Sequence, residues 1–381
     1  MFTQIITHLL LLAVATEAVK IPFIRDMIFV PISNSTGTII IDRTCDECLC
    51  DAYSSARLLN CFPNDTCQVF IDVARTYRMQ STANARMYFH QQVLPDASEC
   101  CMSDVSVLLS RVSASVPTYA DVIDPGRLVL DNHGYLVTVS YTDQSLVRFH
   151  SNTMTRIDQP ASPVFLQSPR SLAHRNGVYY VGFNSYILLV LASDMTIIHN
   201  VSSPALYDVG DMIFVNDGQQ MIVTSMGNNR LVFFDRSSLM PYNYQFIGYR
   251  TVSGRYPRGL VFIHDALFYL SSWGDNTVYA FARSANATEW NETMVFNASS
   301  SSSSLGTSIT SEYVTIDDCG RFWLSLGSIG VKIFDSQGSL RGSLHPPGST
   351  IVDILVLDNY VMYLSDTASN RISRIDPILQ C

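Results

Sequence analysis

The chain has 381 residues, 47% of them hydrophobic, which excludes a disordered polymer and leaves room for two domains with separate cores. Charged residues make up 15%, against roughly 25% in an average soluble protein, and lysine occurs only at Lys20 and Lys332. The formal net charge is −9 with no basic stripe, so nucleic acid and anionic lipid are excluded as main partners, because phosphate binding needs clustered positive charge.

Residues 1–18 read as a secretory signal peptide. Ile5–Ala15 is an apolar run of h-region length, with small-residue cleavage options after Ala15 and Ala18. No Lys or Arg precedes it, so only the α-amine supplies positive charge. The run is shorter than the ~20 residues a bilayer crossing needs, and no later stretch approaches that length. The expectation is a secreted, extracellular chain without membrane insertion. Two further signals point to the same compartment. Cys45, Cys48, Cys50, Cys61, Cys67, Cys100 and Cys101 crowd one segment, the density of a disulfide framework. N-glycosylation sequons stand at Asn34, Asn64, Asn200, Asn286, Asn291 and Asn297. The last three, beside Ser299–Ser304, read as a long exposed glycosylated loop.

Residues 22–104 hold the cysteine-rich part. Cys45–Leu59 has helical character, Gln68–Ile71 reads as a strand after an Asn-Asp turn, and Arg86–Val93 alternates as a further strand. A helix stapled to a small sheet by cysteines resembles the PAN/apple fold, which implies a module that binds protein or carbohydrate. Zinc ribbons use two Cys-x-x-Cys pairs; here Cys45 and Cys48 form only one, so the spacing favours disulfides over a metal. The full set of nine, with Cys319 and Cys381, is odd. Cys319 pairing with Cys381, or Cys381 reaching the head, both remain open.

From residue 112 to 381 one phrase recurs: an apolar strand, a tight turn, an aromatic and β-branched strand, a polar turn, and a third strand ending near Phe-Asp. The copies are Asp124–Phe149, Ser168–Leu191, Val209–Asp235, Tyr256–Ala282, Ser311–Asp335 and Ile351–Asp376. Six copies at intervals of roughly 40 to 54 residues have the period of propeller blades. Each unit alone leaves its apolar faces uncovered, and packing the units in a ring covers them. Turn residues sit at Asn132–Gly134, Asn176–Gly177, Asp217–Gly218 and Cys319–Gly320. The expected fold is mainly β: a six-bladed β-propeller behind a small disulfide-rich α+β domain. The last copy ends without room for an outer strand, so Val112–Val122 is expected to supply it.

The phrase resembles the NHL family of propellers. Pro125 to Gly134 and Pro257 to Asp265 match its first half, and Asn229–Asp235, Asn276–Phe281 and Asn370–Ile372 its second. Tyr186 and Ile329 stand near the place of the asparagine in copies two and five. The resemblance implies architecture and no particular activity.

For chemistry, no G-x-S-x-G elbow, H-E-x-x-H motif or phosphate loop is present. Of the histidines, only His174 and His264 fall at comparable places, and neither forms part of a ligand set. No cofactor and no metal are expected. At the start of the innermost strands stand Arg127, Arg170, Asp211, Arg258, Glu312 and Asp353, near the channel mouth where propeller ligands dock. Mixed charge suits a polar or peptide ligand, or the six pair with one another across the ring. The reading is a non-enzymatic recognition protein for extracellular protein or carbohydrate. A metal-dependent propeller hydrolase or lyase is the alternative.

Overall fold

A computed structural model describes residues 23–31, 38–41, 43–44, 47–48, 58–70, 77–89, 104–237, 242–283, 289–299, 311–317, 319–357 and 359–378. The signal-peptide expectation, Cys45, Cys50, Cys100, Cys101, Cys381, Asn34 and Asn286 lie outside them. The chain divides into two compact units, Met1–Leu94 and Pro95–Cys381.

The first unit is a five-stranded antiparallel sheet: β1 Phe23–Pro31, β2 Thr38–Ile41, β3 Leu58–Phe62, β4 Thr66–Phe70 and β5 Tyr77–Phe89, ordered β1-β5-β3-β4-β2. Leu58 and Leu59, expected at the end of a helix, belong to β3. They are paired on one side by β4 and on the other by the 13-residue β5, so sheet contacts override local helical preference. Thr44 and Glu47 form a reciprocal cap: Thr44 N–H donates to Glu47 Oε2 at 2.8 Å and Glu47 N–H to Thr44 Oγ1 at 3.4 Å. This turn delivers Cys48 to its disulfide with Cys67, in a small core with Leu59, Cys61 and Val69. Cys61 and, in the second unit, Cys319 are disulfide-bonded as well.

The second unit opens with helix α1, Val105–Ala114. Asp104 caps it, accepting from Ser106 N–H at 2.8 Å, and its buried stripe is Val105, Leu108 and Val112. After it, among the described residues, come six antiparallel sheets. The first is β7 Pro125–Leu130, β8 Tyr135–Ser140 and β9 Ser145–His150. The second is β10 Ser171–Arg175, β11 Val178–Gly182, β12 Tyr186–Leu191 and β13 Ile197–Ser202. The third is β14 Val209–Val215, β15 Gln220–Ser225, β16 Arg230–Arg236 and β17 Tyr244–Thr251. The fourth is β18 Pro257–His264, β19 Leu267–Ser272, β20 Thr277–Ala282 and β21 Asn291–Asn297. The fifth is β22 Val314–Ile316, β23 Phe322–Ser325, β24 Val331–Phe334 and β25 Leu340–Leu344. In the sixth, β26 Ile351–Val356, β27 Met362–Asp366 and β28 Arg371–Ile375 are completed by β6 Thr118–Asp121.

Ring closure is visible in the packing. Innermost strands touch in the order β7, β10, β14, β18, β22, β26 and back to β7. Apolar clusters join neighbouring sheets, and the one holding Leu128, Leu136, Val361, Tyr363 and Ile372 joins the last sheet to the first. The closing strand expected from Val112–Val122 is β6, while Val112 itself lies in α1. The helix lays its apolar stripe over β24 and β25. Gly342 in β25 permits that approach: a Cβ there would lie 2.7 Å from Leu109 Cδ1 and from Val105 Cγ1.

The recurring asparagine of the repeat has a physical role. Asn229, Asn276 and Asn370 are left-handed, with φ of 55°, 55° and 51°, a conformation asparagine tolerates better than most residues. Each carbonyl accepts from the outer strand's end, at Val252, Ala298 and Val122 N–H. Each Oδ1 accepts from the chain just before the next innermost strand, at Tyr256 (2.8 Å), Ser311 (2.8 Å) and Asp124 (2.9 Å). A second latch uses hydroxyls of the second strands. Thr224, Ser271, Ser325 and Ser365 donate to the carbonyls of Arg258, Glu312, Val352 and Pro125, each in the following sheet. At the outward turn between β10 and β11, Asn176 and Gly177 have φ of 48° and 74°, as a two-residue hairpin demands.

Candidate functional site

The six residues expected at the channel mouth stand at two successive positions where the innermost strands begin, Arg170 and Glu312 just ahead of β10 and β22. Arg127, Asp211 and Asp353 occupy one position, which faces the axis; Arg170, Arg258 and Glu312 occupy the position before it.

The axial set is an ion-pair cluster. Arg127 Nη1 lies 2.8 Å from Asp353 Oδ1 and its Nη2 3.2 Å from Asp211 Oδ2. Both carboxylates are buried, 1% and 0% exposed. Each also caps an irregular strand start. Asp353 Oδ2 accepts from Leu128 N–H at 2.7 Å, and Asp211 Oδ2 from Leu260 N–H at 2.9 Å, in both cases on the following sheet. Both amides stand beside register shifts of β7 and β18, innermost strands that pair on one side only, and the aspartates supply their partners. Tyr313 was not anticipated. Its ring lies 4.7 Å from the Arg127 guanidinium and 5.4 Å from that of Arg258. Its hydroxyl donates to Gly210 O at 3.0 Å across the channel. Burial pushes the Asp211 carboxyl up to about 6, against the opposing pull of Arg127, and raises Asp353 too. Burial works against the Arg127 charge, but Asp211 and Asp353 together hold its pKa above the ordinary arginine value.

Around the mouth the charges alternate in an arc. The Arg170 guanidinium stands over the Tyr141 ring, 4.8 Å from its centroid, with its Nε 3.4 Å from Asp208. Arg258 pairs with Glu312 at 2.6 Å and also feels the Asp208 charge. Trp273 Nε1–H donates to Glu312 Oε1 at 3.0 Å, and Tyr256 meets Trp273 edge-to-face at 5.6 Å. The arc therefore runs Tyr141, Arg170, Asp208, Arg258, Glu312, Trp273, Tyr256. Exposed Tyr207, 62% accessible, sits beside Asp208. Sequence reasoning missed Asp208 and all the aromatics. The available signal was an aromatic or acidic residue directly before, or in the second turn of, several copies.

The remaining expectations are placed as follows. His174 meets Tyr179 in a tilted contact with ring centroids 5.3 Å apart, and burial lowers its pKa; His264 is exposed and accepts from Ala266 N–H. They do not meet. Among the described residues no group of three or more His, Cys, Asp or Glu is arranged to hold a metal ion. Asn64, Asn200 and Asn291 are exposed. Asn297 is half-buried, and its Nδ2 donates to Asp275 O and Thr277 Oγ1, bonds a glycan there would disturb. Among the described residues no helix is long and apolar enough to cross a membrane.

Ring closure and the axial cluster define a β-propeller, and solved structures agree. The β-propeller domain of Myceliophteria thermophila Cps50 (Swd1) superposes with a TM-score of 0.50 at 10% identity, covering 68% of this chain and 99% of that one. Luciferin-regenerating enzyme gives 0.53 at 9% identity, over 68% and 95%. At such identities the likeness is one of fold. No protein-family model matches the chain, and no curated protein matches it.

Proposed function

We propose that this chain is a secreted, non-enzymatic recognition protein that binds extracellular protein or glycan through the channel-mouth arc and the cysteine-rich head. The observation that carries the reading is the arc itself: guanidinium and carboxylate groups alternate between aromatic rings, partly exposed at the end of a plugged channel. Arg and aromatic residues are the side chains that dominate binding surfaces. Secretion is supported by the apolar N-terminal run and the disulfide-bonded cysteines. An NHL-type repeat is supported by the Asn-centred phrase, and a PAN/apple-like role for the head by its stapled sheet.

The competing reading is a metal-dependent hydrolase or lyase. Against it stands the commitment of Asp211 and Asp353, whose oxygens already serve Arg127 and backbone amides. The test is affinity capture from extracellular fluid with the full chain and with Arg170→Ala/Arg258→Ala. Loss of a bound species in the double variant supports recognition through the arc. Stoichiometric calcium or zinc in the purified protein, released on mutating Asp211, supports the hydrolase reading instead.

A further inference from the structure

We infer that the arc is a carbohydrate subsite, built around Tyr207 and Asp208, that takes a neutral sugar residue; this rests on the recognition reading above and narrows it to one ligand class.

Tyr207 is the starting point. A tyrosine that is 62% exposed normally has a mobile ring, but the backbone that carries this one is held on both sides of the Cα. Its N–H donates to Ser225 Oγ at 2.7 Å and its carbonyl accepts from Gly227 N–H at 2.9 Å. The next residue is fixed in the same way, Asp208 O accepting from Met226 N–H at 2.8 Å. The ring lies directly over Gly227, where any Cβ would overlap it. The ring therefore packs close to the Gly227 backbone while most of the side chain stays exposed, a supported platform with less to order when a ligand arrives. Tyr256 repeats the device one sheet further on: a Cβ at Gly274 would lie 2.8 Å from its Cδ2.

The polar neighbours choose the ligand. Vicinal hydroxyls need a donor and an acceptor side by side, since each hydroxyl both donates and accepts. Asp208 and Arg170 provide that pair, with Arg258 as a further donor beside them. With its guanidinium over Tyr141 and its Nε toward Asp208, Arg170 has no hydrogen bond on either Nη among the described residues. The two arginines and two carboxylates cancel in charge, so a polyanion or polycation gains no net field at the mouth. The C–H-rich face of a pyranose on an aromatic ring, with its hydroxyls reaching a guanidinium and a carboxylate, satisfies every element. An acidic peptide satisfies only the arginines.

Saturation-transfer NMR on the full chain tests this with methyl glycosides of glucose, galactose, mannose and N-acetylglucosamine, beside sialic acid and hexaglutamate. At least one neutral glycoside is expected to receive saturation. Its affinity is expected to fall about tenfold or more in Tyr207→Ala, to hold in Tyr207→Phe, and to fall about tenfold in Asp208→Asn. An unchanged melting temperature in Tyr207→Ala shows that stacking, not folding, was lost. The inference is overturned if no neutral glycoside binds, if only sialic acid or hexaglutamate binds, or if Tyr207→Ala binds as well as the parent. If the glycosides fail while a captured protein depends on Arg170 and Arg258, the sugar assignment falls and the recognition reading stands.

Discussion

Replacing Arg127 with methionine removes the cation that sits between two buried carboxylates. Asp211 and Asp353 keep their amide bonds but lose their counter-charge. Breaking a buried pair from one side costs about 3–5 kcal/mol, a fall in Tm of roughly 5–8 °C in a domain of this size. The loss depends on pH. Burial already pushes Asp211 up to about 6 and raises Asp353. A native pKa above the unfolded one means that stability is fully present below the unfolded value and is lost as pH rises through the native value. Without Arg127 that rise is larger, so the deficit against the parent is greatest near pH 8 and shrinks toward pH 5. Urea unfolding followed by tryptophan fluorescence reports it cleanly, because Trp273, Trp290 and Trp323 all lie in the second unit. Adding Asp211→Asn and Asp353→Asn to the methionine variant is expected to recover most of the loss near pH 8. A deficit under about 1 kcal/mol near pH 8, or one that is the same at both pH values, refutes the reasoning.

The latches and the helix give further tests, each read by the same urea titration. Asn370→Gly keeps the left-handed backbone and loses only the bond to Asp124 N–H, so a cost of about 1 kcal/mol is expected. Asn370→Ala adds strain at φ 51° and is expected to cost about 1 kcal/mol more. Tyr313→Phe removes the bond to Gly210 O and leaves the Arg127 pairs in place, for about 1 kcal/mol. Leu108→Ala opens a cavity between α1 and the sheet beneath, where Leu108 is fully buried, and is expected to cost about 2–4 kcal/mol.

The propeller was legible because its signals are local and repeated. Alternating apolar strands, turn pairs such as Asn176–Gly177, and Asn229, Asn276 and Asn370 each encode geometry within one copy. The outer strand β6 was legible for a different reason: the last copy lacked one, and only the segment before the first was free to supply it. The helix that precedes β6 was missed because its buried stripe is three residues long and is covered by β24 and β25, more than two hundred residues away in the chain. Leu58 and Leu59 were misread since helical preference is weaker than pairing with two neighbouring strands. At the mouth, charge marked the innermost positions. It did not reveal that these positions alternate between axis and rim, because register shifts at the strand starts change which side chain faces inward. Tyr313, Tyr207 and Trp273 escaped notice because an aromatic residue in a β protein is usually core.

The division between axis and rim bears directly on what the channel can do. An innermost strand pairs on one side only, so the amides of Leu128 and Leu260 face a low-dielectric interior, and an unmet amide there costs about 1–3 kcal/mol. A carboxylate from the preceding sheet meets it, at 2.7 Å and 2.9 Å. Two carboxylates meeting at the axis then need a cation fixed between them, and Arg127 from the first sheet is that cation. Asp353 reaches forward to the first sheet and Asp211 to the fourth, so one guanidinium ties the first, third and sixth sheets together. Charge at the axis is thereby consumed in closing the ring. The groups with spare bonding capacity stand one position earlier, at Arg170 and Arg258, where the rim meets solvent. A substitution at Arg127 therefore acts on the stability of the ring, while one at Arg170 or Arg258 leaves the axial pairs in place.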